Sequence, residues 1–180
     1  MLLTTPTVLL AVASFAAVSQ GSVIKARAET HQVTLVNNCV SGNPVFLYEG
    51  NDKQGSGTVS GPLRGGVAWM DSYGDCQSSG VNCGIVEFTL INESNLDPNG
   101  NPYQNSADYS LLTGTAWATT SCDTYNMNFD FNGDGCNKGP GACTGNSAAQ
   151  CPGAYLGSAT EGGAPTQCVA DNVGITITFC

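Results

Sequence analysis

Nine cysteines, at positions 39, 76, 83, 122, 136, 143, 151, 168 and 180, constrain this 180-residue chain more than any other feature. They contain no C-x-x-C spacing, and His31 is the only histidine, so a tetrahedral zinc site lacks its ligands. The remaining reading is a disulfide framework, which requires an oxidising compartment. An odd count leaves one thiol free or intermolecular.

The beginning of the chain agrees with export. Residues 8–18 form an apolar run of Val, Leu, Ala and Phe, too short to span a bilayer. Ala26-Arg27-Ala28 offers an A-x-A cleavage site, with an earlier cut near Ala17-Val18-Ser19 as the alternative. The expectation is a secretory leader over residues 1–28 and one mature domain over 29–180. Removing the leader takes 5 basic and 14 acidic residues to 3 and 14, a formal charge of −11. Such a surface repels phosphate backbones and anionic lipid, which excludes nucleic-acid partners and membrane insertion. Neutral polymers such as glucans, and cations, stay compatible.

The mature part reads as strands separated by turn residues. Val86, Phe88 and Leu90 alternate with Glu87 and Thr89, the period-two signature of a half-buried strand. That places Glu87 on the open side of a sheet. A second run, Ser106-Ala107-Asp108-Tyr109-Ser110-Leu111-Leu112, carries Asp108, and the two acids share a groove if the runs are neighbours. Further strands are expected at 32–36, 44–48, 65–70, 124–131, 167–169 and 174–180, with 53–61 a loop or weak edge. No segment has a long helical period. Short strands and frequent turns predict an all-β sandwich or barrel.

At this level of detail the mature chain resembles the thaumatin-like proteins, in particular their short secreted fungal members. The resemblance rests on Val33-Thr34-Leu35-Val36-Asn37-Asn38-Cys39 at the start and Ile177-Thr178-Phe179-Cys180 at the end. Between them lie Val86-Glu87-Phe88-Thr89-Leu90, Asp108-Tyr109-Ser110, Met127-Asn128-Phe129, Gly135-Cys136, Cys143 and Gln150-Cys151-Pro152, in the family's order. It implies a flattened, disulfide-rich β-sandwich with an acidic cleft, without the helical second domain of larger members. It also implies the pairs Cys39–Cys180 and Cys136–Cys168. Local spacing adds Cys76–Cys83 and Cys143–Cys151, leaving Cys122 as the odd thiol.

The family's cleft holds an Arg, a Glu and several Asp. Carried over, Glu87 matches the Glu and Asp108 one Asp; the Arg lands near Asp71, and a second Asp is Asn105. Glycoside hydrolysis needs one protonated and one ionised carboxyl, so Glu87 and Asp108 meet the minimum as catalytic candidates. Tyr73 and Tyr103, in polar loops beside the two strands, are candidates to stack on sugar rings, whereas Trp69 is expected in the core. The resemblance implies a monomeric cell-wall or matrix protein that binds β-1,3-glucan. The rivals are a weak endo-β-1,3-glucanase and an antifungal defence or effector protein.

Asn92-Glu93-Ser94 is the only N-glycosylation sequon. Asp130-Phe131-Asn132-Gly133-Asp134-Gly135 spells half of a calcium loop, but position twelve is Gly141 instead of a bidentate Glu, so it reads as a turn and no metal is expected. His31 reads as a surface histidine. With no second histidine, haem and Cys/His nucleophile schemes fail, no G-x-S-x-G marks a serine hydrolase, and no cofactor is expected.

Overall fold

The computed structural model describes residues 28–74, 76–96, 104–111, 126–156 and 163–180. Within them the β-branched and alternating segments form nine strands: β1 (Thr30–Asn37), β2 (Asn43–Leu47), β3 (Gly57–Ser60), β4 (Leu63–Asp71), β5 (Ile85–Leu90), β6 (Asn105–Ser110), β7 (Met127–Asn132), β8 (Thr166–Cys168) and β9 (Gly174–Phe179). One 3-10 turn, Glu93–Asn95, follows β5. The expected leader, Tyr103, Cys122 and most of the stretch after β6 lie outside the described residues.

The strands make two sheets, ordered β3-β1-β9-β7 and β2-β4-β5-β6-β8. The five-stranded sheet is antiparallel throughout. In the other, β1 and β9 run parallel, which brings the first and last strands together. The sheets pack face to face because each turns its alternate apolar residues inward. One core cluster combines Val33, Phe129, Phe131, Ile175 and Ile177 with Phe46, Met70, Val86, Phe88, Leu90 and Tyr109. The chain is therefore an all-β, disulfide-rich fold, as expected. Tyr109 ties the layers with hydrogen bonds as well: its hydroxyl donates to the Gly141 carbonyl at 2.8 Å and accepts from the Phe129 N–H at 3.3 Å.

Four disulfides brace this arrangement: Cys39–Cys180, Cys76–Cys83, Cys136–Cys168 and Cys143–Cys151, the pairing expected above. Cys39–Cys180 closes a separation of 141 residues just beyond the β1–β9 pairing. On the loop-entropy model it is worth about 4–5 kcal/mol, against about 2–3 kcal/mol for the short loops. Cys136–Cys168 links the segment after β7 to β8, and so joins the two sheets.

The outer face of the five-stranded sheet is covered at one end. Trp69 and Ile85 form a second, smaller core with Cys76 and Cys83, joined by Val45, Leu47 and Val67. Gly80 sits directly over the indole; a Cβ there would lie 3.6 Å from the ring. Trp69 thus belongs to a core, though not to the one between the sheets. The rest of this outer face carries the acids.

Candidate functional site

Alternation fixes which side chains reach the outer face. On β5, Val86, Phe88 and Leu90 are buried between the sheets, so Glu87 and Thr89 point outward. On β6, Ala107 and Tyr109 go inward, so Ser106 and Asp108 point outward. The antiparallel register then sets Glu87 directly opposite Asp108 and Thr89 opposite Ser106. Directly opposed residues hold their Cβ atoms about 4.5–5.5 Å apart. The structure brings the two predicted acids into one groove of ≈ 220 Å³, lined also by Gly65, Gly66, Val67, Phe88, Thr89 and Ser106.

The glycines explain the opening. A register shift between Leu63 and Gly66 marks a β-bulge in β4 beside the acids. Gly65 takes φ +57°, and a Cβ built on it would meet nothing within 4 Å. A Cβ on Gly66 would fall 2.8 Å from Leu63 and from the Phe88 ring. The bulge therefore leaves bare backbone as one wall of the groove.

Both acids are half-buried, and two opposed carboxyls on neighbouring strands resist ionising together. Burial pushes Asp108 up to about 7, helped by the negative charge of Glu87 and by the hydrogen bond to it. Burial raises Glu87 too, but the same hydrogen bond stabilises its ionised form and pulls the other way. The proton therefore resides on Asp108 and the charge on Glu87. Asp108 Oδ1 is buried with no hydrogen-bond partner. The pair presents a donor and several acceptors side by side, with hydroxyls of Thr89 and Ser106 next along the sheet.

The other expected ligand-binding residues lie elsewhere. Asp71 is on β4, four residues beyond Val67, so about 13 Å along the strand from the neighbour of Glu87. Its carboxylate pairs with Lys53, whose ammonium holds it below the usual carboxylate range. Tyr73 packs against the main core and lines a small crevice with Met70, Cys39 and Cys180 instead of the groove. Asn105 is fully buried: its amide donates to the carbonyls of Cys168 (3.2 Å) and Ala170 (2.9 Å) and accepts from the Ile91 N–H (3.3 Å). It clamps β5, β6 and β8 together from the core side and cannot reach a ligand. Tyr103 lies outside the described residues.

Two further expectations are corrected. The sequon residue Asn92 is 4% exposed, accepts from the Asn172 N–H at 2.6 Å and donates to Asn172 Oδ1 at 3.3 Å. The folded chain does not offer that amide to a glycan. His31 is 0% exposed: Nδ1 donates to the Val173 carbonyl at 2.8 Å and Nε2 bonds Glu29 Oε1 at 2.9 Å. Glu29 also accepts from the Asn92 N–H and from Asn95, so this polar cluster fastens the start of β1 to the turn after β5. In the Asp130–Gly135 segment, Asp130 accepts from Asn128 and Asn132 donates to Thr176. Among the described residues no group of three or more His, Cys, Asp or Glu is placed to hold a metal.

Sequence reasoning missed Thr89, Ser106 and the Gly65-Gly66 wall. The first two share the parity of Glu87 and Asp108, and that signal was available. No protein-family model matches the chain, and no curated protein matches it at a significant level. What fold and site define is a class: a disulfide-braced two-sheet β domain with a directly opposed acid pair in an open groove. Four disulfides are the mark of a chain that folds in an oxidising, extracytoplasmic compartment. No helix among the described residues is long and apolar enough to cross a membrane.

Proposed function

We propose that this is a secreted, thaumatin-like wall or matrix protein that binds β-1,3-glucan in the groove of Glu87 and Asp108. The observation that carries the reading is the directly opposed carboxyl pair at an open groove. Sugar hydroxyls donate and accept at once, and a protonated acid beside a carboxylate answers both needs. The order of the motifs from Val33 to Cys180 supports the family assignment, and the disulfides support the compartment.

The test is retention on insoluble β-1,3-glucan together with a reducing-sugar assay on laminarin. The wild type is retained without releasing reducing ends, and Glu87→Ala and Asp108→Ala lose retention. Release of reducing ends that Glu87→Gln abolishes would make the protein an endo-glucanase instead. No retention by the wild type would leave the defence or effector reading in its place.

A further inference from the structure

We propose that the Cys39–Cys180 bridge is a thiol-exchange site: a small thiol enters the hollow beside Cys180 and opens this bridge in the folded protein, while the other three stay closed. The bridge lies just beyond the paired ends of β1 and β9, in the sheet that does not carry the acids, and it does not depend on the glycan reading. Access sets it apart. The six cysteines of the other bridges are buried: Cys168, at 5%, is the most exposed of them, and Cys136, Cys143 and Cys151 are at 0%. Cys39 is only half-buried and Cys180 is exposed. Exchange requires a thiolate to reach a sulfur, so exposure decides which bridge reacts before the chain unfolds.

There is also room for the reagent. Cys180 lines two hollows. One is the small crevice it shares with Cys39, Met70 and Tyr73. The other holds ≈ 190 Å³ and is walled by Met127, Asn128, Ala142, Thr144 and Thr178. That is far more than the roughly 10–15 Å³ one water needs, and it admits a small thiol.

The backbone keeps the two cysteines together without the sulfur bond. The Asn38 N–H donates to the Phe179 carbonyl at 2.9 Å, and the Cys180 N–H donates to the Asn126 carbonyl. The Cys39 N–H donates to Asn37 Oδ1 at 2.9 Å, and Asn37 pairs with Phe179 across β1 and β9. An opened bridge therefore leaves its two thiols side by side, and closing it again is an intramolecular step.

The chemistry balances without an added oxidant. A thiolate attacks Cys180 Sγ, the Cys39–Cys180 bond breaks, and Cys39 leaves as a thiolate that takes up a proton. The product is a mixed disulfide on Cys180. Cys39 then attacks back and expels the small thiol, or a second thiol attacks the mixed disulfide and frees Cys180, leaving the reagent oxidised to its own disulfide.

The experiment uses the intact secreted protein with any free thiol first blocked. Dithiothreitol is added at about pH 8, where thiolate is plentiful, and samples are alkylated over time and mapped by mass. Label reaches Cys39 and Cys180 at least about tenfold sooner than the other six cysteines. The opening rate rises in proportion to dithiothreitol and is unchanged by about 1 M urea, as direct attack on the folded state requires. Ala142→Phe, a change at an exposed position in the wall of the larger hollow, slows opening about fivefold or more with Tm unchanged. If opening this bridge lets the others follow at once, that variant still slows the whole reaction. First labelling at another bridge overturns the proposal. So does labelling of all eight cysteines at one rate that climbs steeply with urea, or an Ala142→Phe protein that opens as fast as the wild type.

Discussion

Asp108→Asn is expected to stabilise this protein at neutral pH, although it alters the centre of its candidate site. The folded state keeps a proton on Asp108 up to about pH 7, while the unfolded chain releases it near the ordinary value of 3.8. Between those values the native state binds more protons, so stability falls as pH rises and levels off above about 7. A rise from 3.8 to about 7 corresponds to about 4 kcal/mol at most. Because the groove opens to water, about half of that, roughly 2 kcal/mol, survives screening. Glu87, also raised, acts in the same direction. Asp71, which Lys53 holds low, loses its contribution only as pH falls through and below the ordinary carboxylate range, outside this window. An asparagine keeps an N–H donor toward Glu87 and has no proton to lose. Urea denaturation with the disulfides intact, at about pH 4.5 and about pH 8, provides the measurement. The wild type loses about 2 kcal/mol across that range while the variant is nearly flat. At about pH 8 the variant therefore melts about 4–8 °C higher. A wild type equally stable at both values, or a variant weaker than wild type at about pH 8, refutes the reasoning.

Four other outcomes follow from the packing. Asn105→Ala leaves two carbonyls and an N–H without partners and costs about 2–4 kcal/mol in urea denaturation, and Asn105→Asp, which sets a carboxylate against those carbonyls, costs more. Tyr109→Phe strands the Gly141 carbonyl and the Phe129 N–H between the sheets and lowers stability by about 1–3 kcal/mol, read as a drop in Tm without loss of secretion. Intact mass of the secreted native protein shows no glycan on Asn92, because its amide is committed to Asn172, and Asn92→Ala lowers Tm. Reduction raises the mass by about eight hydrogens, two for each of the four bridges.

Much of this was legible in the chain, and the misses are instructive. Strict alternation in Val86-Glu87-Phe88-Thr89-Leu90 marked β5 and its outward acid, since a one-residue error would bury Glu87. The same rule argues against Asn105 as a ligand. It lies three residues from Asp108, so it faces the opposite side of β6, and the family pattern obscured what parity states. His31 shares the parity of Val33 and points into the fold accordingly. Periodicity says nothing of the Lys53–Asp71 pair, which joins residues 18 apart, the second at the far end of β4. Nor does it reveal the proton held on Asp108. That depends on the register of β5 and β6, and register is set by pairing and by the connection between the strands.

Compensation separates the carboxyl pair from the partnered acids Glu29, Asp71 and Asp171. Glu29 has His31, a backbone N–H and Asn95; Asp71 has Lys53 and Ser72; Asp171 accepts from Gln104 and from the Glu93 N–H. Glu87 and Asp108 have each other, and opposed like charges on neighbouring strands are destabilising. They occupy β5 and β6, which are inner strands of the five-stranded sheet, so the backbone cannot splay to relieve them. Threonine at either position would keep the strand and remove the cost, as Thr89 opposite Ser106 does one pleat away. A fold that keeps an uncompensated acid pair on rigid strands beside an open groove breaks a local rule with nothing structural gained. Such breaks concentrate where a ligand supplies the missing partner. A partner that donates to the Asp108 carboxyl and faces Glu87 should therefore stabilise the domain on binding, most strongly above about pH 7, where the proton no longer does that work.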